Sequence, residues 1–233
     1  MKTLLVVPTE READALGARK AFVSGAGAGA YDTVRARLAE STPGLVLVAG
    51  VCGGLDPSIG AGGVIVARHV IAPGCDVIEP DRFLLEEVRK ALHEHASRFV
   101  YSRMLTVDHP VASRDEKRDV WNEHGAGGVD METYYVARAA REAGVRWLAV
   151  RAVVDTASQS LPASLAEWDV EAGDMATLRA AALRPWQWPR YARLARQFPL
   201  AIRGLRDTIP LVIRAAQAAK SVETLSMVEV APQ

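Results

Sequence analysis

The sequence predicts a three-layer α/β/α fold with a central mixed β-sheet and a C-terminal helical extension. Short runs rich in Val, Leu and Ile alternate along the chain with amphipathic stretches, as expected when strands and covering helices follow one another. Several of the apolar runs are continuous, which is typical of strands buried on both faces. A chain of 233 residues can bury a sizeable core without needing a second large domain.

The predicted strands are short apolar runs bounded by glycine, proline or polar residues. In chain order they are TLLVVP, AFVSGAGA, LVLVAGV, GGVIVARHVIA, RMLTVDHPV, GGVDM and WLAVRAVVD. Helices are predicted between strands, where apolar residues recur with helical spacing, over 31–41, 81–96, 114–123 and 132–143. Gly144 follows the last of them as a helix-ending residue.

The composition changes after about Leu183, where a segment rich in arginine and aromatic residues begins. We therefore predict a core domain over residues 1–183 and a basic, Trp-rich helical extension and tail over 184–233. Two interpretations stay open: the extension docks on anionic lipid headgroups through 184–220, or it packs on its own domain or on a dimer partner. The basic residues are Arg184, Arg190, Arg193, Arg196, Arg203, Arg206, Arg214 and Lys220, against Asp207, and the aromatic residues are Trp186, Trp188, Tyr191 and Phe198.

Overall charge and cysteine content argue against several classes of function. The formal net charge is zero, so no global field attracts the protein to nucleic acid. Cys52 and Cys75 show no C-x-x-C spacing, which argues against a disulfide framework or a thiolate metal site and favours a reducing compartment. Pro8 and Glu10 cut the first apolar run short of a signal peptide, and no apolar run approaches the roughly 20 residues that span a bilayer. We expect a cytoplasmic protein, with peripheral contact at the inner membrane face as an option.

The glycines Gly25, Gly27 and Gly29 fit the G-x-G-x-x-A pattern of dinucleotide-binding turns. That function needs an acidic residue about 20 residues further on, at the end of the next strand, to hold the ribose. The next strand, LVLVAGV, ends in Gly50 and Val51. A tight strand-to-helix turn is therefore the better interpretation.

Metal chemistry and serine-hydrolase chemistry lack their usual sequence signals. His93 and His95 are two residues apart, so on a helix they point to different faces, and no H-E-x-x-H motif is present. There is no G-x-S-x-G elbow to carry a nucleophilic serine. We predict no metal and no cofactor.

Three carboxylates follow predicted strands: Glu12 after the first, Glu132 after GGVDM and Asp155 after WLAVRAVV. Each alone is better explained as a helix cap or a surface charge. Together, on the same kind of sheet edge, they can face one cleft. Carboxylates that share a partly dry site have their pKa values pushed apart, so that one acts as an acid and another as a base.

Three segments resemble, in matching order, the signature segments of the purine nucleoside phosphorylase and nucleosidase superfamily. They are VAGVCGGLDPSIGAGGVIVA (48–67), GVDMETYYVARAA (128–140) and VRAVVDTAS (150–158). In methylthioadenosine/S-adenosylhomocysteine nucleosidases the corresponding strand ends read like G-x-x-G-G-L, V-E-M-E and R-A-x-S-D. The resemblance spans about residues 1–180 and implies cleavage of the N-glycosidic bond of a purine nucleoside, without cofactor or metal.

The resemblance also implies roles for individual residues. Asp155 matches the general acid that protonates or hydrogen-bonds N7 of the leaving purine, and Glu12 matches the residue that polarises the attacking water. Glu132 matches the glutamate that holds the ribose hydroxyls, and Met131 matches the methionine packed against the sugar. An oxocarbenium-like transition state needs both a proton delivered to the base and negative charge near the sugar, so these roles are chemically coherent.

The base pocket is implied at four further positions. Gly53, Pro110 and Val111 fall where the superfamily builds this pocket, and Cys52 lies beside Gly53 in the same glycine-rich segment.

Departures from the superfamily pattern bear on the nucleophile. Phosphate-dependent members typically carry an arginine and a hydroxyl residue where this chain has Val48 and Val51. Without those groups an anion site is weak, so hydrolysis is favoured over phosphorolysis unless another arginine such as Arg11 compensates. Val154 replaces the serine of R-A-x-S-D, and Asp130 replaces the first glutamate of V-E-M-E, which leaves the fine geometry of the site open.

The extension RPWQWPRYARLARQFPLAIRGL (184–205) resembles the tail of the hopanoid-associated branch, which is described as removing adenine from adenosylhopane. This implies a lipid-linked, 5′-substituted adenosine as substrate. Methylthioadenosine, S-adenosylhomocysteine, futalosine or a phosphorolysed purine nucleoside are alternatives, and a nucleoside-binding, membrane-associated scaffold is the non-enzyme alternative. Relatives are usually dimers or larger, so a homo-oligomer is implied.

Overall fold

The structure is a computed structural model that describes residues 1–95, 99–162 and 185–229. Its strands are β1 (Thr3–Val7), β2 (Phe22–Val23), β3 (Leu45–Gly54), β4 (Val64–Ile71), β5 (Phe99–Thr106), β6 (Ala126–Asp130) and β7 (Trp147–Asp155). Its helices are α1 (Glu10–Leu16), α2 (Ala30–Glu40), α3 (Arg82–His95), α4 (Arg114–His124), α5 (Thr133–Glu142) and α6 (Trp188–Glu229), the last preceded by a 3-10 turn at Pro185–Gln187.

The four predicted helices agree with α2, α3, α4 and α5 to within one residue at each end. Two elements differ from the prediction. The run AFVSGAGA forms only the two-residue strand β2, because Gly25 and Gly27 adopt positive φ angles of 78° and 74° that end the extended backbone. Helix α1 was not predicted; Thr9 caps its start, and Gly17 ends it in a left-handed conformation.

The strands form one mixed sheet, as predicted, in which β3 is central. β3 pairs in parallel with β1 and β7 and antiparallel with β6. β7 pairs antiparallel with β4, and β4, β5 and β6 pair in parallel in that order. These pairings return to β3, so β3, β7, β4, β5 and β6 form a closed ring, and β1 and β2 extend it on one side. The closure was not predicted from the sequence.

Successive residues of β3 pack against opposite helix layers. Val46 and Val48 belong to the core cluster that also contains buried residues of α2 and α5. Leu45, Leu47 and Ala49 belong to the cluster formed with α3 and α6. Both faces of the strand are therefore apolar, which explains why its sequence does not alternate.

Helix α6 buries one face against the sheet and α3. The interpretation that the extension packs on its own domain therefore holds for residues 201–219 of α6. The domain boundary after residue 183 stays a prediction. At the N-terminal end of α6, Trp188 is 59% exposed, and Trp186 in the preceding 3-10 turn is 73% exposed. Up to residue 219, the buried residues of α6 are Ala201, Ile202, Leu205, Thr208, Ile209, Val212, Ala215, Ala216 and Ala219.

A close glycine contact seats α6 on the loop between β3 and β4. A Cβ atom on Gly204 would lie 2.7 Å from the Gly62 carbonyl oxygen and 2.9 Å from Val64 Cγ2. Gly62 is itself fixed, since its N–H donates to the Val153 carbonyl at 2.8 Å. The helix can approach this closely only because position 204 has no side chain.

We expect Gly204→Ala to lower the free energy of unfolding by about 1–3 kcal/mol, the usual cost of overpacking. Alanine favours helix over glycine by about 1 kcal/mol, so a net loss must come from the contact with Gly62. Chemical denaturation measures the change. Gly60→Ala is the matched control, because a Cβ atom there meets nothing within 4 Å. Equal stability of both variants would contradict the close-packing argument.

Candidate active site

The three carboxylates that the sequence singled out are buried around residues 50–53 of β3. Glu12, Glu132 and Asp155 are 5%, 4% and 4% exposed. Glu12 comes from α1, Glu132 from the junction of β6 and α5, and Asp155 from the end of β7. The fold thus brings together residues that are far apart in sequence, and the single cleft that they would share stays a prediction.

Glu12 is held by hydrogen bonds to both carboxylate oxygens. Its Oε1 accepts from the Val51 backbone N–H at 2.8 Å, and its Oε2 accepts from the Thr9 hydroxyl at 2.8 Å. The Thr9 hydroxyl also accepts from the Glu12 N–H at 3.2 Å as the cap of α1. A helix cap and a strand amide therefore fix the carboxylate against β3.

Arg151 in β7 is the cation of this cluster and is fully buried. Its Nε lies 2.9 Å from Asp130 Oδ2. Its Nη2 lies 2.7 Å from Glu132 Oε1 and forms an ion pair with it, without the geometry of a hydrogen bond. A Cβ atom on Gly50 would collide with Arg151 Nη1 and lie 2.8 Å from Glu12 Oε1. Arg151 therefore faces Glu12, Asp130 and Glu132, and Gly50 leaves the space for it.

Asp130 supports the start of α5. Its Oδ1 accepts from the Thr133 backbone N–H at 3.2 Å and from the Thr106 hydroxyl at 2.7 Å. The Thr133 hydroxyl donates to Asp130 Oδ2 and accepts from Arg151 Nε at 2.8 Å. Asp130 thereby anchors the turn that carries Glu132 and orients the guanidinium that faces it.

Asp155 lies beside a different cation, Lys117 of α4. The ammonium donates to Asp155 Oδ2 and forms a buried ion pair with it. The strand pairing shifts here from Cys52 opposite Val153 to Gly53 opposite Asp155, so Val154 is an extra residue in β7, a bulge. Val154 packs with the α3 and α6 cluster, so the position that departs from the serine of the superfamily pattern offers Asp155 no side-chain donor.

Burial raises the pKa values of Glu12, Glu132 and Asp155. It raises the pKa of Glu132 to about 8, against the opposing charge of Arg151, and Asp130 and Glu12 add to the rise. It also raises the pKa of Glu12, while Arg151 and hydrogen bonds from Val51 and Thr9 oppose the rise. Burial raises the pKa of Asp155 against the lowering effect of Lys117. For Glu12 and Glu132, the effect of burial exceeds the compensation by the one guanidinium that both share, so both pKa values are raised.

The remaining predicted site residues lie on the elements around these carboxylates. A Cβ atom on Gly53 would lie 3.7 Å from both carboxylate oxygens of Asp155. Cys52 is buried, and burial raises the pKa of its thiol. Val111 is buried in a small cluster with residues of β5 and β6, and Pro110 and Met131 are half-buried. Their contacts with a nucleoside remain predictions.

Arg151 and Lys117 are the functional candidates that the sequence analysis missed. Arg151 had a visible signal, since it is an arginine within the apolar run WLAVRAVV. A charged residue inside a strand covered on both faces must be paired, which points to a site. Lys117 had no such signal, because it lies in a polar helix among other charged residues.

Within residues 1–95, 99–162 and 185–229, no group of three His, Cys, Asp or Glu side chains is arranged to hold a metal ion. In the same part of the chain, no helix combines the length and apolar character needed to cross a membrane.

Residues 17–184 match the sequence profile of the phosphorylase superfamily. A comparison with curated proteins finds no match. Among solved structures, the chain is similar to a 5′-methylthioadenosine/S-adenosylhomocysteine nucleosidase from Neisseria meningitidis in complex with methylthio-immucillin-A, with 15% identity and a TM-score of 0.69 over 92% of this chain and 100% of that one.

Two further solved structures show the same similarity of fold. A nucleosidase of the same kind from Colwellia psychrerythraea 34H, in complex with adenine, has 14% identity and a TM-score of 0.69 over 93% of this chain and 96% of that one. Futalosine hydrolase of Helicobacter pylori has 16% identity and a TM-score of 0.65 over 90% and 97% of the two chains.

The raised pKa of Glu132 predicts a pH-dependent stability. The fold favours the protonated carboxyl, so this contribution is fully present below the ordinary pKa of 4.5 and is lost as the pH rises to about 8. The free energy of unfolding of the unmodified protein minus that of Glu132→Gln should therefore fall between these pH values and then level off. Urea denaturation from pH 4 to 9 measures the difference, with Glu40→Gln on the exposed part of α2 as control. A difference that rises with pH would show that Glu132 ionises readily.

Proposed function

The chain belongs to the phosphorylase superfamily, and from this membership and the geometry of its site we propose that it is an enzyme that cleaves the N-glycosidic bond of a purine nucleoside. The observation that carries the proposal is the burial of Glu12, Glu132 and Asp155 around one short stretch of β3, with separate cations for the first pair and the third. In such an arrangement, Asp155 can serve as the acid at the purine end of a bound nucleoside, while Glu12 and Glu132 serve at its sugar end.

In the proposed reaction, Asp155 gives a proton to N7 of the purine as the bond between C1′ and N9 breaks. Glu132 holds the ribose hydroxyls, and Met131 packs against the sugar. Glu12 polarises the water that attacks C1′. The raised pKa of Asp155 suits an acid, and carboxylates near the sugar stabilise the positive charge that develops on it.

Water is the proposed nucleophile. The Val51 N–H, which lies in the glycine-rich segment, already donates to Glu12 and so is not available to an anion. Arg11, the candidate to compensate for a missing phosphate-binding arginine, instead lies over the Phe198 ring at 5.2 Å from its centroid. Both contacts support hydrolysis over phosphorolysis.

We propose an adenosine with an apolar 5′ substituent, such as adenosylhopane, as the substrate. A groove of about 570 Å³ between α1 and α6 supports this choice, because it offers apolar surface beside α1, the helix that carries Glu12. Its basic rim suits a substrate that arrives from an anionic membrane. The groove is lined by Ala15, Phe198, Pro199, Ile202, Arg203, Arg206 and Asp207.

Peripheral membrane contact is part of the same proposal. Trp186 in the 3-10 turn and Trp188 at the start of α6 are exposed, and so are Arg190, Arg193 and Arg196 in the first turns of α6. Tryptophan rings favour the headgroup region, and arginines are attracted to anionic lipid. We propose that the protein is cytoplasmic, that it contacts the inner membrane face and that it forms a homo-oligomer.

A second candidate substrate class is methylthioadenosine, S-adenosylhomocysteine or futalosine. It is favoured by the similarity in fold to nucleosidases and a hydrolase named for those compounds. The non-enzyme alternative, a nucleoside-binding scaffold, does not explain why three carboxylates are buried together at a cost in stability.

Asp155→Asn should lower kcat for adenine release by about 100-fold or more, because proton transfer to the leaving base contributes about 10²–10⁴-fold. The assay is adenine release from adenosines with methylthio and longer alkyl 5′ groups, with and without phosphate. Asp32→Asn on the exposed part of α2 is the control.

Unchanged activity of Asp155→Asn would rule out this residue as the acid. Release that needs phosphate and yields a pentose 1-phosphate would overturn hydrolysis, and preference for the methylthio group would favour the second substrate class.

Replacing Trp186 and Trp188 together by alanine should weaken binding to vesicles that contain phosphatidylglycerol, because two interfacial anchors are lost. Flotation with vesicles measures binding, and higher salt should weaken the binding of the unmodified protein further. Phe83→Ala is the control, since Phe83 is 41% exposed on α3. Equal flotation of all three proteins would contradict membrane contact through this end of α6.

A further inference from the structure

Lys117 is buried where a lysine is costly. It is fully buried in the first turn of α4, and within this helix, which is described throughout, it is the one buried residue. A cation near a helix N-terminus is opposed by the helix dipole, and burial removes its hydration. Helix formation and core packing therefore do not account for a lysine here.

The ammonium of Lys117 has a partner for each of its three N–H groups. It donates to Asp155 Oδ2, to the Thr156 carbonyl at 3.1 Å and to the Asp155 carbonyl at 3.4 Å. All three acceptors belong to the end of β7 and the residue after it. Lys117 thus fixes both the side chain and the backbone of Asp155.

The surroundings make this geometry rigid. Ser113 and Glu116 form a capping box that sets the first turn of α4. The Arg114 N–H donates to the Ser160 hydroxyl at 3.1 Å, and the Leu161 N–H donates to the Ala112 carbonyl at 2.8 Å. The start of α4 is therefore tied to the loop that follows Asp155.

We propose that Lys117 is a positioning residue for departure of the base: it orients Asp155 and stabilises the carboxylate that forms when Asp155 gives up its proton. This rests on the proposed function. With Oδ2 held by Lys117, Oδ1 faces the purine. As the bond between C1′ and N9 breaks, its electron pair passes to the purine, and the proton on Oδ1 bonds to N7. The carboxylate left behind is paired with the ammonium, which lowers the energy of the transition state.

The charge of Lys117 also affects the pH range in which Asp155 is an acid. The groups that face Asp155 are Lys117 from α4 and Cys52 from β3. Burial raises the pKa of Asp155, and the Lys117 ammonium opposes the rise. Asp155 is a competent acid below its pKa, so loss of Lys117 should extend activity to higher pH while lowering the maximum rate.

The test compares two leaving groups in Lys117→Met. For a 5′-substituted adenosine, kcat should fall about 100-fold, as when a charge-stabilising group is removed from a transition state, and the alkaline limb of its pH profile should move up. For 4-nitrophenyl riboside, whose leaving group needs no proton, kcat should change little. Lys90→Met, at an exposed lysine of α3, is the control. Equal losses with both substrates, or an unshifted pH profile, would overturn the proposal.

A measurement without substrate separates this proposal from the function on which it rests. The carboxyl ¹³C shift of Asp155 gives its pKa directly, and that pKa should be higher in Lys117→Met. An unchanged pKa overturns the proposal, even if the unmodified protein cleaves nucleosides. If the unmodified protein cleaves no nucleoside, the proposed function fails while the NMR titration still decides the role of Lys117. Should Lys117→Met fail to fold, Lys117→Gln removes the same charge and carries the same tests.

Discussion

One buried guanidinium holds the candidate site together. Arg151 lies in β7, a strand that is otherwise apolar up to Asp155. It faces Glu12 from α1, Asp130 at the end of β6 and Glu132 just after that strand. A planar guanidinium has five N–H donors, so it can approach several acceptors at once. It has only one positive charge, however. Burial of Glu12 and Glu132 is therefore only partly compensated, and their raised pKa values follow from this shortage of positive charge.

Small residues in β3 make this arrangement sterically feasible. Gly50 leaves room for the guanidinium, and Gly53 borders the carboxylate of Asp155. The bulge at Val154 keeps apolar packing on the α3 and α6 side while Asp155 stays beside Gly53. The ring of strands thus combines a dry apolar core with a polar end, and the polar end is built from residues that are distant in sequence.

Local sequence patterns predicted the helices α2 to α5 and the mixed sheet, and singled out the three carboxylates at strand ends, because periodicity and strand ends are local features. The closed ring was beyond such patterns, since it depends on which strands pair, and apolar strands carry little pairing information. Arg151 was recognisable as a charge inside an apolar run. Lys117 was not, because a lysine in a polar helix looks solvated until the fold brings Asp155 to it.

The charges around the site favour water over phosphate as the nucleophile more directly than Val48 and Val51, which replace the arginine and hydroxyl residue of phosphate-dependent members. Around Arg151, three carboxylates face one cation, so an incoming phosphate dianion would meet uncompensated acidic groups. Neutral ribose hydroxyls and water can instead donate hydrogen bonds to these oxygens without adding charge. The second cation, Lys117, is committed to Asp155 by three contacts. Lys117 is therefore not available to an anion, and the carboxylates around Arg151 favour the proposed neutral nucleophile.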